Sequence, residues 1–280
     1  MEKTIEQILE NLQKNPLKET IRSQSNQTVR TLSALSIKKA RDESGYFLVS
    51  GFHMVQEAAA AGLLEAIVYD PDRHPKQGKE IQSLLSENRS QAEPLLLPCQ
   101  KNVIDRLSPL KSGTDLIGLC RKMEASLRGR KKVLLLERVQ DPGNVGTLIR
   151  SACSFGADCV CLCDDSADLY NPKVLQSTQG ACFQIPVVSM SSKEAIELLI
   201  DEGVPVYAAA LHQISVPLSS LKKPESYCLM IGNEGQGLSR EAIAMADVIV
   251  HIEMQKFESL NAAIAGSIIL YEFQPLPENR

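Results

Sequence analysis

Six short apolar runs recur through the second half of the chain: VLLLE (133–137), CVCLC (159–163), QIPVV (184–188), PVYAAA (205–210), YCLMI (227–231) and VIVHI (248–252). Helical patterns at 145–155 and 191–202 separate some of them, and another follows at 258–273. A strand that is apolar on both faces needs cover on both faces. Alternating with helices, such strands imply an α/β fold built on a parallel sheet. Ligands bind these sheets in the crevice beyond the carboxyl ends of the strands. The functional loops are therefore expected after residues 137, 210, 231 and 252.

Upstream, YFLV (46–49), EAIVYD (65–70), PLLLP (94–98) and LIGLC (116–120) read as strands of a smaller α/β domain. A helical pattern over 52–62, ended by Gly62, lies between the first two. The expected organisation is a helical arm at 1–25, an α/β domain at 26–120, a basic linker at 121–132 and the parallel-sheet domain at 133–280. The formal net charge is −4, which argues against a nonspecific nucleic-acid coat. The charge is uneven, however. Residues 22–41 carry five basic residues and no acid, and residues 121–132 carry six basic residues and one acid. Arg30, Lys38, Lys39 and Arg41 are thus candidate phosphate contacts, with a solvated face as the alternative. Aromatics make up only 4% of the chain, so a surface of stacking aromatics is not expected. The eight cysteines form no CxxC pair and lie far from histidines, so no metal site is expected. Free thiols suit a reducing cytoplasm, and no long apolar span suggests a membrane segment.

The loop after VLLLE leads into DPGNVGTLIRSA (141–152). Val145, Leu148, Ile149, Ala152 and Cys153 form one apolar helical stripe. Asn144 stands where an N-cap belongs. Arg150 lies about 140° around the helix from the stripe, facing the loop side or solvent. The loop after YCLMI, GNEGQGLS (232–239), has three glycines and no basic residue. That disfavours a triphosphate and favours a ligand held by backbone groups, although a plain turn explains the glycines equally well. Asn233 and Glu234 bring polar groups to the strand end, and Ser239 caps a helix. In the third stretch, HIEMQKFESLNAAIAGSIILYE (251–272), the helix is expected to start near Glu258 and Ser259. Ser259 or Asn261 could cap it or face a pocket. Ala262, Ala263, Ala265 and Gly266 permit close helix packing, in the core or in a dimer.

Taken in order, NVGTLIRSACSFGAD, IGNEGQGLS and ESLNAAIAGSIILYE resemble the three motifs of the SpoU/TrmH family, RNA 2′-O-ribose methyltransferases of the SPOUT superfamily. NPKVLQSTQGACFQIPV (171–187) resembles the segment between the first two motifs. YFLVSGFHMVQEAAAAG is similar to the substrate-binding domain of many members, itself similar to ribosomal proteins that bind kinked RNA. The resemblance implies a C-terminal SPOUT domain with a trefoil knot, S-adenosyl-L-methionine as methyl donor, and a homodimer with sites near the subunit interface. It implies catalytic-site roles for Asn144, Arg150, Glu234, Ser259 and Asn261, and donor contacts from Gly232, Ile252, Leu260 and Met254. Ribosomal RNA is favoured as substrate over transfer RNA. The sequence departs from the family in the loop before Ser259: Glu253 replaces the usual Pro, Gln255 or Lys256 the usual Gly, and one residue is missing. That departure leaves an RNA-binding or assembly protein with a degenerate donor site as the alternative. A dinucleotide-dependent enzyme is disfavoured, because no GxGxxG follows VLLLE.

Overall fold

The computed structural model describes residues 4–274, apart from 18, 77, 90–91, 109–112 and 257–258. The chain divides into two compact units, residues 1–123 with 170–183, and residues 124–169 with 184–280.

The first unit begins with α1 (Ile5–Lys14), whose Thr4 and Gln7 form a reciprocal capping box. Its elements then run α2 (Gln27–Ser33), α3 (Lys38–Ser44), β1 (Tyr46–Ser50), α4 (Phe52–Ala60), β2 (Leu64–Tyr69), α5 (Lys79–Glu87), β3 (Leu95–Pro98), α6 (Lys101–Leu107) and β4 (Leu116–Arg121). The four strands form a mixed sheet in the order β1-β4-β2-β3. Ile5, Ile8, Leu9 and Leu12 of α1 are buried in the same cluster as Ala66, Val68, Leu97 and Ile117 of the sheet. Residues 1–25 thus contribute a helix to this unit's core.

The second unit carries a seven-stranded, all-parallel sheet. Its first elements are β5 (Lys132–Glu137), α7 (Pro142–Ser154) and β6 (Cys159–Cys163). The next helix, α8 (Pro172–Thr178), belongs to the first unit. The sheet resumes with β7 (Val187–Met190), α9 (Ser192–Asp201), β8 (Val206–Ala209), β9 (Val216–Pro217), β10 (Tyr227–Ile231), α10 (Arg240–Ala244) and β11 (Val248–His251), and α11 (Ala262–Phe273) ends the described chain. The strand order is β7-β6-β5-β10-β8-β11-β9. Every residue of β6 and β10 is buried, as their continuous apolar runs require.

Three of the boundaries that differ from the sequence reading have a local cause. The QIPVV strand starts at Val187 rather than Gln184, because Pro186 has no amide hydrogen to pair; its carbonyl accepts from Val160. The helix after VLLLE starts at Pro142, so Asp141 is its N-cap and Asn144 lies inside the first turn. Proline at the first helical position has a preset φ and needs no partner for an amide. The last helix starts at Ala262 with Asn261 as its cap, not near Ser259; Glu258 lies outside the described residues.

Gly266 explains how the last helix seats. A Cβ there would stand 2.5 Å from Leu148 Cδ2 and 3.3 Å from Ile231 Cγ1. The small-residue face thus serves the contact with α7 and β10, reinforced by a Ser151–Ser267 hydroxyl pair at 2.7 Å. All eight cysteines stand outside disulfides, seven of them buried. Burial pushes the Cys99 and Cys159 thiols up to about 12, which keeps them protonated and inert.

Candidate functional site

The site is built where three loops of the parallel-sheet unit leave the carboxyl ends of β5, β10 and β11. It begins with a helix cap. Asn261 Oδ1 accepts from the Ala263 and Ile264 amides at 2.9 and 3.2 Å. The exposed amides of a helix start require an oxygen there, which fixes the orientation of the Asn261 amide. Its Nδ2 then donates to Asn144 Oδ1 at 3.0 Å. That contact in turn directs Asn144 Nδ2 outward, where it donates to Glu234 Oε1 at 2.9 Å. An acceptor is required at the end of this relay, and a carboxylate gives the stronger, charge-assisted bond. Three side chains from three separate motifs are thereby joined in one chain of hydrogen bonds.

Each member is held by its own loop. Asp141 Oδ1 accepts from the Asn144 amide at 2.8 Å and fixes the start of α7. Asn233 Oδ1 accepts from the Gly235 and Gln236 amides, and its Nδ2 donates to the Arg138 carbonyl at 2.9 Å. The loop closes on itself through Asn233 N–H to Gly237 O at 3.1 Å and Gly237 N–H to Asn233 O at 2.9 Å. The lack of a side chain at Gly232 permits this closure: a Cβ would lie 2.3 Å from Gly237 C and Leu238 N. Gly237 takes the left-handed φ of 69° that the closure needs.

At the carboxyl end of β11 lies an open recess of ≈ 510 Å³, lined by Leu211, His251, Ile252, Glu253, Met254, Gln255 and Lys256. Its size falls within the range of small-molecule sites. Of the residues expected to contact a donor, Ile252 and Met254 line this recess, while Gly232 and Leu260 do not. Gly232 is buried beneath its loop, and Leu260 is 41% exposed. Glu253, which replaces the family's proline, is held by the Ser219 hydroxyl, and this bond lowers its pKa. Arg150 is exposed and, among the described residues, makes no ion pair or side-chain hydrogen bond. Ser259 is also exposed and outside the relay.

Two site features escaped the sequence reading. Asp141, not Asn144, is the cap, and its signal was the Asp-Pro pair at a helix start. Glu137 closes the apolar run of β5 yet is only 2% exposed. Its Oε1 accepts from Ser239 Oγ at 2.7 Å and its Oε2 from the Ser239 amide at 2.7 Å. A carboxylate ending a buried strand at its functional edge was the available signal.

The four expected RNA contacts separate into two kinds. Arg41 is buried, with Nη1 donating to the Leu35 and Ser36 carbonyls at 2.9 and 3.0 Å. It stitches the turn before α3 and is not presented to a phosphate, a correction that periodicity alone could not make. Lys38 pairs with Asp42 at 2.5 Å, and Lys122 with Lys38 holds the Asp42 carboxyl down to about 2. Lys39 lies 3.7 Å from Glu43 with its side chain 82% exposed, and Arg30 is exposed. The basic linker is also partly committed: Lys131 Nζ donates to the Glu202 carbonyl, and the Glu202 carboxylate accepts from the Gly129 amide.

A SPOUT-class methyltransferase domain preceded by a substrate-binding domain is what this arrangement matches. The SpoU rRNA Methylase family matches residues 131–271, and the MRM3-like substrate binding domain matches residues 26–118. The chain belongs to the SpoU rRNA methylase family. It is 35% identical to the 23S rRNA (guanosine(2553)-2′-O)-methyltransferase RlmP of Bacillus subtilis, over 91% of this chain and 98% of that protein. It is similar to the AdoMet-bound rRNA methyltransferase of Sinorhizobium meliloti, with 27% identity and a TM-score of 0.78 over 91% of this chain and 97% of the other. The SpoU methyltransferase AviRb of Streptomyces viridochromogenes in complex with AdoMet has a TM-score of 0.77 at 25% identity, over 88% of this chain and 96% of the other.

Proposed function

We propose that this protein methylates a ribose 2′-hydroxyl of RNA, with S-adenosyl-L-methionine as donor and ribosomal RNA as substrate. The observation that carries the reading is the Asn261–Asn144–Glu234 relay, which joins all three family motifs beyond the strand ends. Relatives covering nearly the whole chain are ribosomal-RNA 2′-O-methyltransferases, which favours ribosomal over transfer RNA.

The recess at the end of β11 fits the donor in size, and Ile252 and Met254 supply apolar wall. The loop 232–239 has no basic residue, as suits a ligand without phosphate. When bound, the donor supplies an electrophilic methyl on a sulfonium, so the protein's task is to orient and deprotonate the hydroxyl. Arginine stays protonated in proteins, so Arg150 serves as a cation rather than a base. It holds the target phosphate and favours the ionised 2′-oxygen, leaving the proton to the neighbouring phosphate or a water. Asn144 and Glu234 orient the ribose, since Glu234 already accepts from Asn144. Ser259 and Asn261 shape the mouth of the pocket. Leu260 and Gly232 keep their place as donor-side residues of the same loops.

The protein acts as a homodimer in this reading. Ile264, Ile268 and Tyr271 are exposed at helical spacing along α11, on the side away from the buried Gly266. The return of α11 onto α7, and the placing of β10 between β5 and β8, support the knotted topology. Eight cysteines held outside any disulfide support a cytoplasmic setting. By function the chain then divides into an RNA-binding domain at 26–120 and a methyltransferase domain at 133–280.

The test is methylation of ribosomal RNA from cells lacking the protein, with 2′-O-methyl positions mapped. Wild type restores one or a few sites; Arg150→Ala restores none while binding donor with wild-type affinity. Failure of the wild type to bind donor or restore any site would overturn the reading.

A further inference from the structure

At the carboxyl end of β5, two consecutive residues hold both ends of the loop that presents Glu234. Glu137 is almost fully buried, and both of its oxygens are engaged. Oε1 accepts from Ser239 Oγ at 2.7 Å and from Ser192 Oγ at 3.3 Å, and Oε2 accepts from the Ser239 amide at 2.7 Å. Arg138 follows in the left-handed region at φ 56°, a conformation that a side-chain-bearing residue seldom adopts. That twist turns its carbonyl to Asn233 Nδ2 at 2.9 Å and its amide to the Cys163 carbonyl at 3.3 Å. Its guanidinium stands 3.7 Å from Glu137 Oε2. Asn233 opens the loop and Ser239 ends it, so this strand end is a clamp on both.

A carboxylate taken out of water is unfavourable unless every lone pair is used. Simple capping of α10 needs only Ser239, whose hydroxyl accepts from the Ala242 amide at 3.1 Å. Nothing in that short helix calls for a buried acid behind the cap. We propose that Glu137 is a positioning residue for methyl transfer: with Arg138 it sets the loop 232–239, and so the place of its donor-side residue Gly232 and of Glu234. This inference rests on the proposed methyltransferase reading and assigns the acid no contact with RNA or donor.

Glu137→Gln tests it. Its amide oxygen can still accept from the Ser239 amide, but its nitrogen cannot accept from the Ser239 and Ser192 hydroxyls, which must turn to accept instead, so the charge-assisted hold on this end of the loop is lost. Ser239→Ala removes the hydroxyl alone and serves as the milder variant should Glu137→Gln fail to fold. Three measurements are made on the full chain: hydrogen exchange of the Gly235 and Gln236 amides without donor, S-adenosylmethionine affinity by calorimetry, and RNA affinity. In Glu137→Gln the two amides should exchange at least tenfold faster. Donor affinity should fall at least tenfold, with RNA affinity changed less than twofold. Ser239→Ala should move both loop readouts in the same direction by a smaller factor. The inference is overturned if folded variants keep wild-type exchange and donor affinity, or if donor and RNA affinity fall together. If the wild type itself binds no donor, the methyltransferase reading fails instead, while the exchange measurement still decides whether Glu137 holds the loop.

Discussion

Replacing Asn144 by alanine removes the middle of the relay, and its two consequences differ in size. The variant loses a charge-assisted bond to Glu234 and a neutral bond to Asn261. Buried, such bonds contribute about 1.5–3 and about 0.5–1.5 kcal/mol. Here Glu234 and Asn261 are both exposed, so water replaces the missing partner and no group is left unsatisfied. The stability loss should therefore be only about 1–2 kcal/mol. A double-mutant cycle with Glu234→Ala should give a coupling of about 0.5–1 kcal/mol in the urea transition of the unit that holds the site. Methylation should fall far more. If Asn144 orients the reacting ribose, kcat/KM drops at least about 100-fold, near 2.7 kcal/mol, with donor affinity preserved. The reasoning is refuted if kcat/KM stays within about fivefold of wild type, or if the stability loss exceeds about 4 kcal/mol, which would make the relay a structural strut.

The basic residues of the first unit should separate by exposure. Lys39→Ala and Arg30→Ala should weaken RNA binding and lower its salt slope by about 0.7–0.9 for each phosphate no longer neutralised. Arg41→Ala should instead destabilise the unit by about 2–4 kcal/mol, because the Leu35 and Ser36 carbonyls lose their buried donor. A double substitution of Ile268 and Tyr271 to glutamate should give a monomer by sedimentation if the exposed face of α11 joins two copies. The first unit should also show a stability maximum in mild acid. Burial opposes the charge on His74, yet its bonds to Asp115 and Glu80 outweigh this and raise its pKa above 6.5. Burial likewise opposes the Asp115 charge, but His74 and Arg73 lower its pKa below 3.8. The His74 contribution is full below the unfolded value and fades as pH rises through the folded one. The Asp115 contribution is full above its unfolded value and fades as pH falls through the folded one. Urea midpoints should therefore be highest between about pH 4 and 6.5 and flatten in His74→Gln.

Much of this molecule follows from local pattern. Continuous apolar runs such as CVCLC and YCLMI can be satisfied only inside a covered parallel sheet, so the sheet and its functional edge were legible before any coordinates. The motif residues Asn144, Glu234 and Asn261 were legible too, through the order of their motifs. Other features depend on what a residue meets across the fold. Asn144 and Asp141 are both plausible caps in DPGN, and only the helix start at Pro142 selects Asp141. Arg41 sits in a basic stretch like its neighbours, and only the turn at Leu35 and Ser36 draws its guanidinium inward. Gly232 carries no local sign of what it packs on, and only the tertiary path brings Gly237 and Leu238 to where its Cβ would lie. Side-chain type and spacing determined which elements form and which face they bury. Only the assembled fold decided which polar groups find one another, because a buried or relayed hydrogen bond depends on partners about 90 to 117 residues away in sequence, a separation no local period encodes.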